Sequence, residues 1–199
     1  MKRFLFLFSF LLTSLLSSAQ EGQIEHTIYV GGGYFWESRG SGAQTVTGAS
    51  LKIGYALDYF ITHNLSVMPG IALRSEMEGG FGDSDDGAAD YDFTFLDIPV
   101  MLRYHFGEGS RWAVGVGPAF SYAIHRDEIY NDADPSDPIA GQPVIKKTDF
   151  ALHLNICYKL NHWRLGIDSR IGLTDVAMKY VGTPSRHINN VSAVIGYSF

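Results

Sequence analysis

The sequence predicts an all-β fold, an eight-stranded antiparallel up-and-down transmembrane β-barrel with short periplasmic turns and long extracellular loops. Apolar residues recur with a period of two in eight segments, which is the pattern of strands with two different faces. Most of these segments have 10 to 14 residues. A tilted strand needs about 9–11 residues to cross a bilayer, whereas strands of soluble domains cluster near 5–6. Short and long connections also alternate along the chain, as they do in outer-membrane barrels.

The alternation is clearest in residues 113–124, where Val114, Val116, Phe120 and Tyr122 alternate with glycine, alanine and serine. Because successive side chains of a strand point to opposite faces, one face of this strand is bulky and apolar and the other is small. The eight predicted strands are 24–36, 51–59, 65–74, 91–106, 113–124, 149–160, 163–173 and 187–199.

The connections between these strands fall into two classes. Short turns are predicted at 63–64, 107–109 and 161–162, and long linkers at 37–48, 75–90, 125–147 and 174–186. With eight strands, both ends of the barrel chain lie on the side of the short turns, which is the periplasmic side.

The first residues have the composition of a secretory signal peptide. Lys2 and Arg3 precede an apolar stretch at 4–16, and small residues lead to a predicted cleavage after Ala19. This stretch is shorter than the ~20 apolar residues that a spanning helix needs. The predicted division is therefore a signal peptide at 1–19 and an outer-membrane barrel domain at 20–199, with a mature net charge of −8.

Composition excludes several classes of protein. A chain of 199 residues with 46% hydrophobic residues is long and apolar enough for one folded domain. Cys157 is the single cysteine, which excludes a disulfide framework and a multi-cysteine zinc or iron–sulfur site. The formal net charge is −6 and no basic cluster follows a phosphate backbone, so a nucleic-acid partner is not expected.

The chemistry of the two faces favours a membrane barrel over a soluble lipocalin-like carrier. A face of glycine, alanine and serine makes a poor soluble exterior, but it suits the narrow lumen of an eight-stranded barrel. The bulky face then contacts lipid, with aromatic girdles at the two interfaces. The predicted girdle residues are Tyr55, Tyr59, Tyr104, Phe120, Tyr122, Tyr158, Trp163, Tyr197 and Phe199.

Charged residues occur at the predicted inward positions, in nearly balanced numbers. Because an isolated buried charge is costly, a balanced set predicts mutual pairing. The lumen would then be plugged by a charge network, and no channel activity is expected. The inward residues are Lys52, Arg74, Arg103, Lys159, Arg164 and Arg170, with Asp58, Asp97, Asp149, Asp168, Glu25 and the histidine His153.

Two features conflict with a regular register. Pro69, Pro99 and Pro118 lie inside predicted strands, where a proline cannot donate to the ladder, so each is a candidate for a bulge or bend. Phe93 and Phe95 are apolar but have the same strand parity as the inward charged residues. A bulge near Leu96 would resolve this conflict.

A hydrolase is the alternative chemistry that the sequence leaves open. It would pair His153 or His105 with Asp97 or Asp168 and use a serine nucleophile such as Ser169. No spacing in the sequence brings these groups together, and a histidine within the lumen charge network is the simpler interpretation. Cys157 is expected to be a packed, unreactive thiol, and Gly31, Gly32 and Gly33 are expected to serve close packing.

The predicted long loops are acidic. Residues 75–92 carry seven carboxylates and residues 125–147 carry five. The stretch 83–87 resembles the start of an EF-hand loop but lacks its downstream glutamate, so a solvated loop is favoured over a calcium site. Loose divalent binding shared with lipopolysaccharide phosphates is an intermediate case.

Several segments resemble the PorT-like outer-membrane barrels that are typical of Bacteroidetes. These are FLDIPVMLRY at 95–104, GVGP at 115–118, IGLTDV at 171–176 and the final IGYSF at 195–199. The resemblance covers essentially the whole mature chain. It implies the barrel fold, export to the outer membrane and recognition of the terminal aromatic residue by the barrel-assembly machinery, and it supplies no catalytic residue.

The favoured functional hypothesis is a small integral outer-membrane barrel with a structural, surface-interaction or secretion-accessory role. The alternatives are a barrel enzyme acting on lipid or peptide and a periplasmic lipocalin-like carrier of a small apolar ligand. No cofactor and no resident metal are expected. The expected partners are outer-membrane lipid, lipopolysaccharide, the assembly machinery and an unidentified protein at the loop face.

Overall fold

The computed structural model describes residues 23–40, 46–78, 92–126, 145–178 and 185–199. These ranges form a closed, antiparallel barrel in which each strand pairs with its neighbours in sequence and β8 pairs with β1. The predicted fold class is confirmed. The signal peptide predicted at 1–19 lies outside the described residues. The strands are β1 Ile24–Arg39, β2 Val46–Thr62, β3 Leu65–Glu78, β4 Asp92–Phe106, β5 Trp112–Arg126, β6 Thr148–Leu160, β7 Trp163–Gly172 and β8 Arg186–Ser198.

Strands β1, β2 and β3 are longer at the loop end than the sequence predicts. β1 continues to Arg39, β2 begins at Val46 and β3 continues to Glu78. The linkers predicted at 37–48 and 75–90 are therefore too long, because polar residues were assigned to loops where the barrel wall continues. Polar side chains can occupy these strand ends because their inward positions face other polar groups in the lumen.

The turns at the other end of the barrel are short, as predicted. Two residues connect β2 to β3, and two connect β6 to β7, where Asn161 adopts a positive φ of 55°. The β4–β5 turn contains a short 3-10 helix, Glu108–Ser110, preceded by Gly107 at φ 80°. Glycine suits this position because a side chain disfavours the left-handed region.

The three prolines do not mark bulges, which corrects one expectation. The β3–β4 and β4–β5 registers are the same on both sides of Pro69 and Pro99, and Pro118 lies in an unbroken β5–β6 ladder. The pairs next to Pro69 and Pro99 are omitted from the ladder, which accommodates the missing amide hydrogen without inserting a residue.

The bulge expected near Leu96 lies in β5, the partner strand, and not in β4. The register of β4 against β5 shifts between Thr94 and Phe95, and the extra residue is Ile124 of β5. β4 therefore keeps its alternation, and Phe93 and Phe95 both point into the barrel with 4% and 1% of their surface exposed. The alternation of the sequence therefore assigns both phenylalanines to the face on which the structure places them.

The outer surface of the barrel is apolar. Large aliphatic side chains such as Ile53, Leu102 and Ile167 leave about half of their surface exposed. In water such a continuous apolar surface would be unfavourable, so this distribution fits lipid outside and polar groups inside. It is the reverse of the distribution expected for the lipocalin-like alternative. None of the helices in the described ranges has the length and apolar character needed to cross a membrane.

Aromatic residues form a band around the turn end of the barrel. Tyr104, Phe106 and Trp112 stack in sequence, and Trp112 also contacts Tyr158. Trp163 packs edge-on against Tyr197. Such rings favour the membrane–water interface, so the band fixes the depth of this end of the barrel.

Candidate functional site in the barrel lumen

The lumen contains a neutral set of ion-paired side chains. Within the described residues, seven basic and seven acidic side chains form these pairs. Alternate positions of the strands direct these side chains inward, where lipid cannot reach them. They are Lys52, Arg74, Arg103, Lys159, Arg164, Arg170 and Arg186, with Glu25, Glu37, Asp58, Glu76, Asp97, Asp149 and Asp168.

The turn-end cluster consists of Glu25, Asp58, Arg103, Lys159 and Arg164. Asp58 is paired with Arg103 and accepts a hydrogen bond from Arg164 Nη1 at 2.7 Å. Glu25 lies 2.5 Å from Lys159 Nζ and 2.9 Å from Arg164 Nη2. Arg164 therefore bridges two carboxylates, one fully buried and one near the open end of the lumen.

The central cluster is built around Asp168. Lys52 Nζ donates to Asp168 Oδ2 at 2.7 Å, and His153 Nε2 lies 3.4 Å from the same oxygen. The other oxygen accepts a hydrogen bond from the Asn155 amide. Asp168 of β7 is thus held from two other strands, since Lys52 belongs to β2 and the other two partners to β6.

The loop-side cluster contains two arginines that each hold acidic partners. Arg74 pairs with Asp97 and Glu76. Arg170 pairs with Asp149, donates to Ser121 Oγ at 3.0 Å and donates to the Ile188 carbonyl at 2.9 Å. Because guanidinium groups present several donors in fixed directions, Arg74 joins β3 to β4, and Arg170 of β7 contacts β5, β6 and β8.

An apolar mouth plug lies beyond the loop-side cluster. Ile145 and Val176 fold over the lumen from outside the strands, and Ile145 forms a bridge with Ala177. Lys146 donates from its backbone to Val176 O at 2.7 Å and from its side chain to Asp175 O at 2.7 Å. The plug packs as one buried cluster of Phe93, Phe95, Ala123, Ile145, Val176 and Ile188.

The remaining space in the lumen is unevenly distributed. A central cavity of about 50 Å³ borders Tyr29, Met68, Met101 and Cys157. A much larger vestibule of about 620 Å³ opens at the turn end, where Arg103 and Cys157 separate it from the central cavity. The structure therefore has a broad opening on the turn side and a packed lumen above it.

The comparisons with known proteins agree with this architecture. Residues 10–177 match the family described as outer membrane protein beta-barrel domain. The chain belongs to this family. Family membership and the closed eight-stranded barrel place the protein in the bacterial outer membrane.

Among similar solved structures, Neisserial surface protein A shares the fold at low sequence identity. Neisserial surface protein A is 13% identical with a TM-score of 0.53, over 87% of this chain and 97% of that one. OprG from Pseudomonas aeruginosa is 15% identical with a TM-score of 0.45, over 89% and 98%. Ail of Yersinia pestis is 14% identical with a TM-score of 0.45, over 90% and 100%. No curated protein matches the sequence.

The hydrolase candidates of this outer-membrane barrel are not brought together. His153 contacts Asp168, but Ser169 is on the outer face, where its hydroxyl donates to Asn190 O at 3.3 Å. His105 instead lies 2.8 Å from Ser66 Oγ. The single Ser66 hydroxyl proton is donated to Asp58 Oδ1 at 2.7 Å, so His105 is not placed as a base for that serine.

The sequence reasoning located most of the lumen charges but missed several at the loop end. All ten residues assigned to the charge network, together with Arg74 and Glu25, lie in the lumen. Glu37, Glu76 and Arg186 fall in the predicted linkers, yet Glu76 is fully buried and Arg186 pairs with Glu37. Glu76 has the same strand parity as Arg74, which was a usable signal.

Two other sequence expectations concern single residues. Cys157 is buried, as expected, but its sulfur accepts a hydrogen bond from Arg103 Nη2 at 2.6 Å and so belongs to the turn-end wall. A Cβ added to Gly31 would meet Lys52 Cε at 2.9 Å, which agrees with a close-packing role. The EF-hand-like stretch 83–87 lies outside the described residues, and the described ones contain no cluster of three or more metal-binding side chains.

Proposed function

We propose that this protein is a non-conducting outer-membrane barrel with a structural, surface-interaction or secretion-accessory role. The single observation that carries the proposal is the filled lumen. Three ion-paired clusters and an apolar plug occupy the interior between the turn-end vestibule and the loop end. A barrel whose interior is committed to its own packing offers its loops, outer wall and open turn end for interaction.

The proposal does not include catalysis. The candidate serine of the hydrolase alternative is on the lipid face, and each buried histidine is held by groups of the lumen network. Function in a barrel is set by specific sites rather than by the fold. The described residues form no chain of hydrogen bonds that runs from a nucleophile through a histidine to a carboxylate.

We also propose a subtype, an export route and partners for this barrel. The segments FLDIPVMLRY and IGLTDV support a PorT-like subtype, and the basic and apolar start of the sequence supports export with cleavage after Ala19. Outer-membrane lipid, lipopolysaccharide and the barrel-assembly machinery are the proposed general partners. A protein that contacts the acidic loops is the proposed specific partner.

Planar-bilayer recording tests the plugged lumen. The purified, detergent-folded protein is inserted beside a general porin as positive control. We expect membrane insertion without stepwise ion conductance. Stepwise channel openings that occur as often as the protein inserts into the membrane would contradict the proposal.

Photocrosslinking in intact cells tests the surface-interaction role. A photoreactive amino acid is placed at Gly40, at the loop end, and at Asn64, in a turn at the opposite end. We expect a discrete protein adduct from position 40 and none from the matched position 64. The absence of an adduct at position 40 would remove the support for a loop-side protein partner.

A further inference from the structure

We propose that the turn-end vestibule is a binding site for a small organic carboxylate with an apolar body, taken up from the periplasmic side. The vestibule has a volume of about 620 Å³. Sites for small molecules are commonly concave spaces of ~300–1,000 Å³ with a few convergent polar groups. This inference concerns a site separate from the loops, so it does not depend on the proposed surface role.

Access to the vestibule is one-sided. Its rim is formed by the turns after β2, β4 and β6, where Thr62, Ser110 and Asn161 line it. Above it, the turn-end and central clusters fill the lumen, and the mouth plug closes the loop end. A ligand that enters from the turn side therefore stops at Arg103 and Arg164, the innermost charged residues of the vestibule wall.

The charge of the wall favours an anion. Four basic side chains line the vestibule: Arg103, Arg111, Lys159 and Arg164. They are offset by Glu25, which also lines the vestibule, and by Asp58 behind the wall. Two positive charges remain in excess, so an anionic ligand is favoured.

The two inner arginines also have unused hydrogen-bonding capacity. Arg103 and Arg164 expose only 1% and 7% of their surface, and the Nε atoms of both are buried without a hydrogen-bond partner. A buried donor without a partner is unfavourable, and a guanidinium is the side chain best matched to a carboxylate. Because both guanidinium groups line the vestibule, its inner wall is a better anion site than a surface cluster of lysines.

The rim supplies apolar contact for the rest of the ligand. Phe60 lines the vestibule, and its ring packs against His105 with centroids 4.7 Å apart. Aromatic side chains bury large apolar areas, so they favour an organic anion over an inorganic one. The ligand would direct its carboxylate inward and its body toward these rings.

Fluorine NMR of the detergent-folded full barrel tests the proposal with 4-fluorobenzoate as the probe and 4-fluorobenzyl alcohol as its neutral match. We expect saturable line broadening for the benzoate that exceeds the broadening in empty micelles, and none for the alcohol. Equal broadening of both probes, or none for the benzoate, would overturn the proposal.

Substitutions at the rim locate the binding site. The double variant Arg111→Gln, Lys159→Gln removes two cations from exposed or partly exposed positions, so it is compatible with folding, which heat-modifiable migration verifies. We expect its dissociation constant for 4-fluorobenzoate to rise at least fivefold. The control Lys147→Gln removes one exposed cation at the opposite end of the barrel and should leave affinity unchanged. An unchanged affinity in the folded double variant would place binding elsewhere and overturn the assignment.

Discussion

Arg74 and Asp97 are joined by two hydrogen bonds inside the barrel, from Nε to Oδ2 at 2.6 Å and from Nη2 to Oδ1 at 3.2 Å. The same guanidinium carbon lies 4.4 Å from the centre of the Phe95 ring. Arg74 is therefore the contact between the charged part of the lumen and the apolar mouth plug. A change at this residue should affect both.

Replacement of Arg74 by methionine should strongly destabilise the barrel. The variant leaves Glu76 and Asp97 buried without their cation, and such a loss typically costs about 3–5 kcal/mol. Urea unfolding of the folded protein in detergent measures the effect. The triple variant Arg74→Met, Glu76→Gln, Asp97→Asn removes the charges together and should lose less. A single variant as stable as the parent would show that these charges are not dependent on Arg74.

Replacement by alanine should change stability differently at two serines. Ser66 is fully buried and bonded to Asp58 and His105, so Ser66→Ala should cost about 1–3 kcal/mol because polar partners lose a hydrogen bond. Ser169 is on the outer face, and Ser169→Ala should change stability by less than ~0.5 kcal/mol. Parallel unfolding curves compare them. A larger loss for Ser169→Ala would contradict the assignment of faces.

An arginine on the lipid face should impair assembly in proportion to its depth. Leu154 is near the middle of β6 and points outward, so Leu154→Arg should cost ~2–4 kcal/mol. Leu160 ends the same strand, and Leu160→Arg should cost only ~0–1 kcal/mol. The folded fraction on heat-modifiable gels measures both. Equal folding of Leu154→Arg and the parent would mean that this face does not contact lipid.

Adjacent glycines of β1 provide a test of close packing. A Cβ at Gly33 would lie 2.0 Å from the Val191 carbonyl oxygen, whereas one at Gly32 would meet nothing closer than Leu51 Cδ2 at 3.4 Å. Gly33→Ala should therefore cost about 1–3 kcal/mol through backbone displacement, and Gly32→Ala should be nearly neutral. Chemical denaturation in detergent distinguishes them, and equal stabilities would show that β1 and β8 can separate freely at this point.

The predicted strands and their faces depended on local information, and this explains which expectations succeeded. Alternation assigned Arg103, Asp149 and Asp168 to the lumen, because side-chain direction in a strand follows directly from position. Proline chemistry alone did not locate the register shifts. The β4–β5 shift inserts Ile124, and the β2–β3 shift lies between Phe60 and Thr62, so neither is at a proline. The predicted strands stop too early where inward residues such as Glu76 are polar.

The partners of the lumen charges could not be read from the sequence. Lys52 and Asp168 are 116 residues apart, and Lys159 and Glu25 are 134 apart, yet each pair is in direct contact. Long side chains meet across the barrel according to its closure and the stagger of its strands, which no local pattern encodes.

The sequence by itself determined the strand period, the polarity of the two faces and the alternation of short and long connections, because each depends on neighbouring residues. The tertiary structure alone decided the ion pairs, the mouth plug and the vestibule. Those features arise where distant strands face one another around a closed barrel, so their geometry exists only after β8 has paired with β1.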